Sequence, residues 1–102
     1  MFKTIAEGVE MQVLRRHDDR GLTFLIQMQH GARAPRHDHP GGEETYLVRG
    51  CLKVCARSGG APDVTLRAGD YLYAPPGEVH EGVAEGETLF FVVTPGGLQA
   101  VP

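Results

Sequence analysis

The stretch Gly31-Ala32-Arg33-Ala34-Pro35-Arg36-His37-Asp38-His39-Pro40-Gly41-Gly42-Glu43-Glu44-Thr45-Tyr46-Leu47-Val48-Arg49-Gly50 carries the residues around which this chain is organised. His37 and His39 stand two apart, and a carboxylate, Glu43, follows four residues after the second. Side chains at i and i+2 of a strand point to the same face, so the two imidazoles can reach one point in space. Two imidazoles and a carboxylate offer neutral nitrogens and an anionic oxygen, a donor set that suits a divalent transition metal.

The composition bounds what can house such a point. A chain of 102 residues is expected to form one domain with a modest core. Its 41% hydrophobic and 23% charged content is ordinary for a globular protein. A net charge of -3 without a basic patch argues against nucleic acid as a partner. No apolar run approaches the roughly 20 residues of a membrane helix, so no membrane association is expected. Lys3 and Glu7 interrupt the first apolar segment, so no signal peptide is expected and the expected location is cytoplasmic. Cys51 and Cys55 fall on one expected strand, about 13 Å apart, too far for a disulfide.

Fourteen glycines and seven prolines punctuate short Val-, Leu-, Tyr- and Phe-rich runs. That pattern predicts strands joined by tight turns. Strands are expected at 9–15, 22–28, 36–39, 44–49, 51–57, 64–67, 71–74, from 80 onward, and at 88–94. Turns are expected at 16–21, 31–35, 58–63 and 85–87, with a break at Gly50. No helical period longer than a turn is visible, and so many short strands predict a sandwich or barrel. The domain is expected to span 1–97, with 98–102 as a loose C-terminal tail. His17 is expected in an exposed turn and His30 in a structural or exposed place.

A second constellation follows in Gly69-Asp70-Tyr71-Leu72-Tyr73-Ala74-Pro75-Pro76-Gly77-Glu78-Val79-His80. Pro75 stops a strand, Gly77 lets the chain double back, and His80 opens the next strand. At this point the chain resembles the cupins. Their first motif, Gly-x5-His-x-His-x3,4-Glu-x6-Gly, is met at Gly31, His37, His39, Glu43 and Gly50. Their second, Gly-x5-Pro-x-Gly-x2-His-x3-Asn, is met at Gly69, Pro75, Gly77 and His80, with Ala84 where the family has Asn. The two motifs stand eighteen residues apart. The run from His39 to Glu44 is also similar to the ChrR-type anti-sigma cupins and to small dioxygenases that cleave diketones. So are the lead-in from Gly8 to Leu14 and the ending from Gly86 to Phe91.

The resemblance implies an all-β double-stranded β-helix, a jelly-roll barrel. It implies metal ligands at His37, His39, Glu43 and His80, with the spacing to Gly50 selecting Glu43 over its neighbour Glu44. Zn, Fe, Mn, Ni and Cu all suit three imidazoles and a carboxylate. An open octahedral metal leaves two positions for small molecules, whereas a closed tetrahedral zinc is structural. A divalent ion with one carboxylate makes a centre of net charge about +1, which favours an anionic or chelating substrate. The function expected on this basis is a metal-dependent dioxygenase acting on a diketone or oxo acid. The alternative is a non-enzymatic module that binds or senses a metal or small ligand. A sugar epimerase would need a His–Asp pair away from the metal, and none is visible. Gln27, Tyr71, Tyr73 and Phe91 are the expected pocket residues, with an outer-face or subunit-contact role equally open to the two tyrosines. Arg33 and Arg36 are candidates to guide an anion to the mouth. A homodimer is the expected assembly.

Overall fold

The computed structural model describes residues 1–100. Nine strands follow one another: β1 (Lys3–Ala6), β2 (Val9–Arg16), β3 (Leu22–Met28), β4 (Arg33–Asp38), β5 (Glu43–Cys55), β6 (Val64–Arg67), β7 (Tyr71–Ala74), β8 (Val79–Thr94) and β9 (Gln99–Ala100). A 3-10 turn at Ser58–Gly60 is the helical content of the described residues.

The two longest strands form the spine. β5 and β8 pair antiparallel from Glu44 opposite Val93 to Cys55 opposite Glu81. On its other edge β5 takes β7 along its first half and β6 along its second. β8 takes β3 along its second half and β4 along its first. β2 and β1 continue outward from β3, and β9 from β4. Every pairing is antiparallel, and the fold is the expected jelly-roll barrel.

β8 alternates on either side of a bulge at 86–88. His80, Ala84, Thr88, Phe90, Val92 and Thr94 are all buried, while the odd-numbered residues between them are half-buried or exposed. β3 turns Phe24, Ile26 and Met28 inward on the same rule, and Val9 and Leu47 complete the near wall of the core. Each such side chain contributes about 1.5–3 kcal/mol on burial.

Several boundaries differ from those expected. Residues 85–87 do not end the strand: β8 continues through them as a bulge, with Glu85 opposite Cys51, Leu89 opposite Arg49 and Gly86 at a φ of 79°. The break at Gly50 is a register shift inside one strand, a bulge that bends β5 against β8. β4 begins at Arg33, within the segment expected as a turn. β1 is not among the expected strands; its residues are exposed or half-buried, so no buried apolar face marks it. The expected loose tail at 98–102 is in part a strand: Gln99 and Ala100 pair with Asp38 and His37. The free edge of β4 offers backbone groups whose pairing holds them there. Residues 101–102 lie outside the described residues. Both cysteines are free, as the strand geometry requires.

Gly50 is the tightest point of the bend. Its φ is 92°, and a Cβ there would lie 2.3 Å from the Glu87 carbonyl oxygen. Gly59 has a φ of 72° but open space around it. Gly50→Ala should therefore destabilise the chain by more than the roughly 1–3 kcal/mol of backbone strain alone. Gly59→Ala should lose no more than that strain. Urea denaturation midpoints check this, and equal losses would show that the close approach at Gly50 is no constraint.

Candidate metal centre

Three strand ends meet at one end of the barrel. His37 lies on β4 directly opposite His80 on β8. After His39 the chain turns through Pro40-Gly41-Gly42 and enters β5 at Glu43. The His39 carbonyl accepts the N–H of Gly42 at 2.9 Å and that of Gly77 at 3.2 Å, which ties the two motif turns together. A Cβ on Gly41 would fall 1.9 Å from the Pro95 carbonyl oxygen, so position 41 admits no side chain.

The result gathers His37, His39, Glu43 and His80, one ligand atom from each lying within 4.8 Å of all the others. Glu43 is their common neighbour. Its Oε2 lies 2.8 Å from His39 Nε2 and 3.9 Å from His37 Nε2, and its Oε1 lies 3.2 Å from His80 Nε2. Glu44 faces outward and accepts the Tyr71 hydroxyl at 2.7 Å, so the structure separates the two neighbouring glutamates as expected.

The electrostatics follow from burial and partners. Burial pushes the Glu43 carboxyl up, but the three imidazoles beside it outweigh that and hold the group well below its ordinary 4.5. Burial pulls the His80 imidazole down, yet Glu43 and Glu78 together raise it above its ordinary 6.5. Glu78, which neither motif contains, is itself pushed up by burial and brought down by Arg57 and His80.

Hydrogen bonds also set the imidazole tautomers. His37 Nδ1 meets the Pro35 carbonyl, which can only accept, so Nδ1 carries the proton and Nε2 keeps its lone pair. His80 Nδ1 donates to Glu78 Oε2 at 2.8 Å, with the same consequence. His39 is fully buried, and neither of its nitrogens has an aligned hydrogen-bond partner among the described residues; the 2.8 Å approach to Glu43 is out of line. An imidazole so placed wants a partner. Lone pairs converging beside a low-lying carboxylate fit a divalent cation.

A cavity of about 180 Å³ opens onto this cluster. Its walls are Val9, Met11, Phe24, Ile26, Phe90 and Val92, and His37 and Glu43 form its polar end. Ile5, Leu98 and Arg36, all exposed, line its rim. The expected pocket residues are elsewhere. Gln27 and Phe91 point outward from β3 and β8, and Tyr71 and Tyr73 are 55% and 52% exposed on β7. The reason is parity. Leu72 and Ala74 stand opposite Thr45 and Glu43 and so share their inward face, which sends both tyrosines out. Phe90 and Val92 stand opposite the inward Ile26 and Phe24 of β3, which puts them on the cavity side. Glu78 carried a usable signal, two residues before His80. Arg57 carried none. Ala84, at the family's Asn position, is buried and makes only backbone bonds, to Gly31 and Ala32. His30 accepts the Gly86 N–H, and His17 lies within hydrogen-bond distance of the Thr23 hydroxyl; neither joins the cluster.

Comparison with known proteins places this geometry. Residues 1–99 match the family model for the ChrR cupin-like domain. An acetylacetone dioxygenase from Acinetobacter johnsonii superposes with a TM-score of 0.85 at 22% identity, covering 99% of this chain and 72% of that one. The anti-sigma ChrR of Rhodobacter sphaeroides, solved with SigE, superposes at 0.76 with 23% identity over 91% of this chain and 47% of that one. A curated relative, the DNA damage-repair/toleration protein DRT102 of Arabidopsis thaliana, is 27% identical over 92 residues. Those residues are 90% of this chain but only 28% of the plant protein. The fold, the ligand spacing and the match along residues 1–99 agree, and the chain belongs to the ChrR cupin-like domain family.

Proposed function

We propose that His37, His39, Glu43 and His80 hold a divalent transition metal, and that the site acts on a small chelating substrate, a diketone or oxo acid, as a metal-dependent dioxygenase. The observation that carries this reading is the apolar cavity of about 180 Å³ ending on His37 and Glu43. A cavity of about 150 Å³ accommodates benzene, so this one suits a comparably small molecule with alkyl groups against its walls. The bound metal would polarise the substrate's oxygens as a Lewis acid and, as iron, exchange electrons with O₂. The chain does the rest. Glu43 leaves the centre with a net charge of about +1, which attracts an enolate or carboxylate. Arg36 adds positive charge at the rim. Phe24, Ile26, Phe90 and Val92 exclude water from the polar end.

A second reading is a non-enzymatic metal- or ligand-sensing module, supported by the likeness to the anti-sigma ChrR. The two part on one experiment. The purified chain, loaded with Fe(II), should consume O₂ with a β-diketone, and His39→Ala should abolish both metal retention and uptake. Zinc held by all four side chains with no exchangeable position, and no O₂ uptake, would sink the dioxygenase.

We further propose a homodimer through the outer face of β5 and β7. Tyr46, Val48, Tyr71 and Tyr73 are each at least 45% exposed there, gathering exposed aromatic and aliphatic side chains on one face. Tyr46→Arg with Tyr73→Arg should yield a monomer in sedimentation equilibrium; an unchanged mass would move the interface elsewhere. The free cysteines fit the cytoplasm, the location proposed for the chain.

The pH dependence has a definite sign. In the metal-free chain the depressed Glu43 contributes stability above pH 4.5 that is lost as pH falls through its folded value. The raised His80 contributes stability below pH 6.5 that is lost as pH rises through its folded value. Denaturation midpoints of the metal-free chain should therefore peak between these two values. Metal competes with the proton on His80, so apparent metal affinity should keep rising as pH passes above 6.5. Calorimetric titration at several pH values checks this, and a pH-independent affinity would remove His80 from the ligand set.

A further inference from the structure

We infer that Glu78 and Arg57 are positioning residues of the metal centre, a clamp that fixes the ring of His80 in the Nδ1–H tautomer with Nε2 aimed at Glu43. The inference rests on the metal reading of His80.

Glu78 leaves the Pro75-Pro76-Gly77 turn and is 6% exposed. Its carboxylate takes three donors. His80 Nδ1 donates to Oε2 at 2.8 Å, Arg57 Nε donates to Oε2 at 3.1 Å, and Arg57 Nη2 donates to Oε1 at 3.0 Å. The guanidinium fork is planar and rigid, so a carboxylate held by both teeth has little freedom to rotate. Arg57 is anchored in turn, its Nη1 donating to the Pro62 carbonyl at 3.0 Å. One residue further on, the Ser58 hydroxyl accepts the Val79 N–H at 2.9 Å. The loop after β5 thus grips the chain at 78 and at 79, on the approach to His80.

A tie between loop and strand alone would not call for buried charges. Desolvating a carboxylate and a guanidinium costs several kcal/mol per ion, and the Ser58–Val79 bond already makes the tie. What the carboxylate adds is an acceptor for His80 Nδ1. The other imidazoles are held differently: His37 by the Pro35 carbonyl, and His39 by no aligned hydrogen bond among the described residues. His80 is the imidazole backed by an anion, which orients the ring and strengthens it as a donor. Arg57 cancels that second negative charge, so the centre keeps the net charge set by the metal and Glu43.

The test uses the full chain as wild type, Glu78→Ala, Glu78→Gln and Arg57→Gln. Long-range ¹H–¹⁵N spectra of the metal-free protein, well above the ordinary imidazole range, report the His80 tautomer. Competition with a chromophoric chelator reports Zn²⁺ affinity. Wild type should show Nδ1–H at His80. Glu78→Ala should mix the tautomers and weaken Zn²⁺ by about 10–100-fold. Glu78→Gln, whose amide oxygen still accepts, should restore the tautomer and most of the affinity. Arg57→Gln should fall between them. A folded Glu78→Ala with the wild-type tautomer and affinity within about two-fold overturns the clamp. If Glu78→Ala does not fold, an Arg57→Gln variant unchanged in both readouts overturns it equally. A wild type that takes up no Zn²⁺ overturns the metal reading itself, whereas the tautomer of metal-free His80 decides the positioning claim in either case.

Discussion

The carboxylate of Glu43 is the group on which the site depends. It is 6% exposed at the first residue of β5, and a buried ion without partners costs several kcal/mol. Three imidazoles from three segments answer it: His37 from β4, His39 from the following turn and His80 from β8. Each sits where it does because the backbone yields around it. Gly41 lets the His39–Glu43 turn pass against Pro95, and the His39 carbonyl takes N–H groups from both motif turns. The cluster is therefore a property of four chain segments brought together.

β8 links that cluster to the cavity. His80 opens the strand, and the same inward alternation delivers Phe90 and Val92 to the apolar wall. β5 behaves alike, presenting Glu43 to the cluster and Leu47 to the core. Two long strands thus carry both the polar end and the apolar wall of one small chamber. The bend at Gly50 lets both strands curve around it.

The charges are arranged in two tiers. Glu43 faces the point where a cation would sit, and Glu78 stands behind His80. Glu78 is matched by Arg57, whereas Glu43 has only imidazoles. Within the four-residue cluster, then, the negative charge is that of Glu43. That asymmetry suits a single divalent ion.

By itself the sequence determined the fold class and the four clustered residues. Both are written locally: the two-residue spacing of His37 and His39, the glycines and prolines that turn the chain, and the motif spacing that prefers Glu43 to Glu44. Such features depend on neighbours along the chain and survive without knowledge of pairing. Only the tertiary structure decided the chamber. Phe90 rather than Phe91 lines it because Phe90 stands opposite the buried Ile26 and Leu47, a pairing set across the sheet and not along β8. Tyr71 and Tyr73 face outward because Leu72 and Ala74 share a face with Thr45 and Glu43. Glu78 meets Arg57 across 21 residues of chain, a contact with no local trace. A one-residue change of parity moves every side chain of a strand to the other face, so what lines a β-barrel is settled by pairing across the sheet.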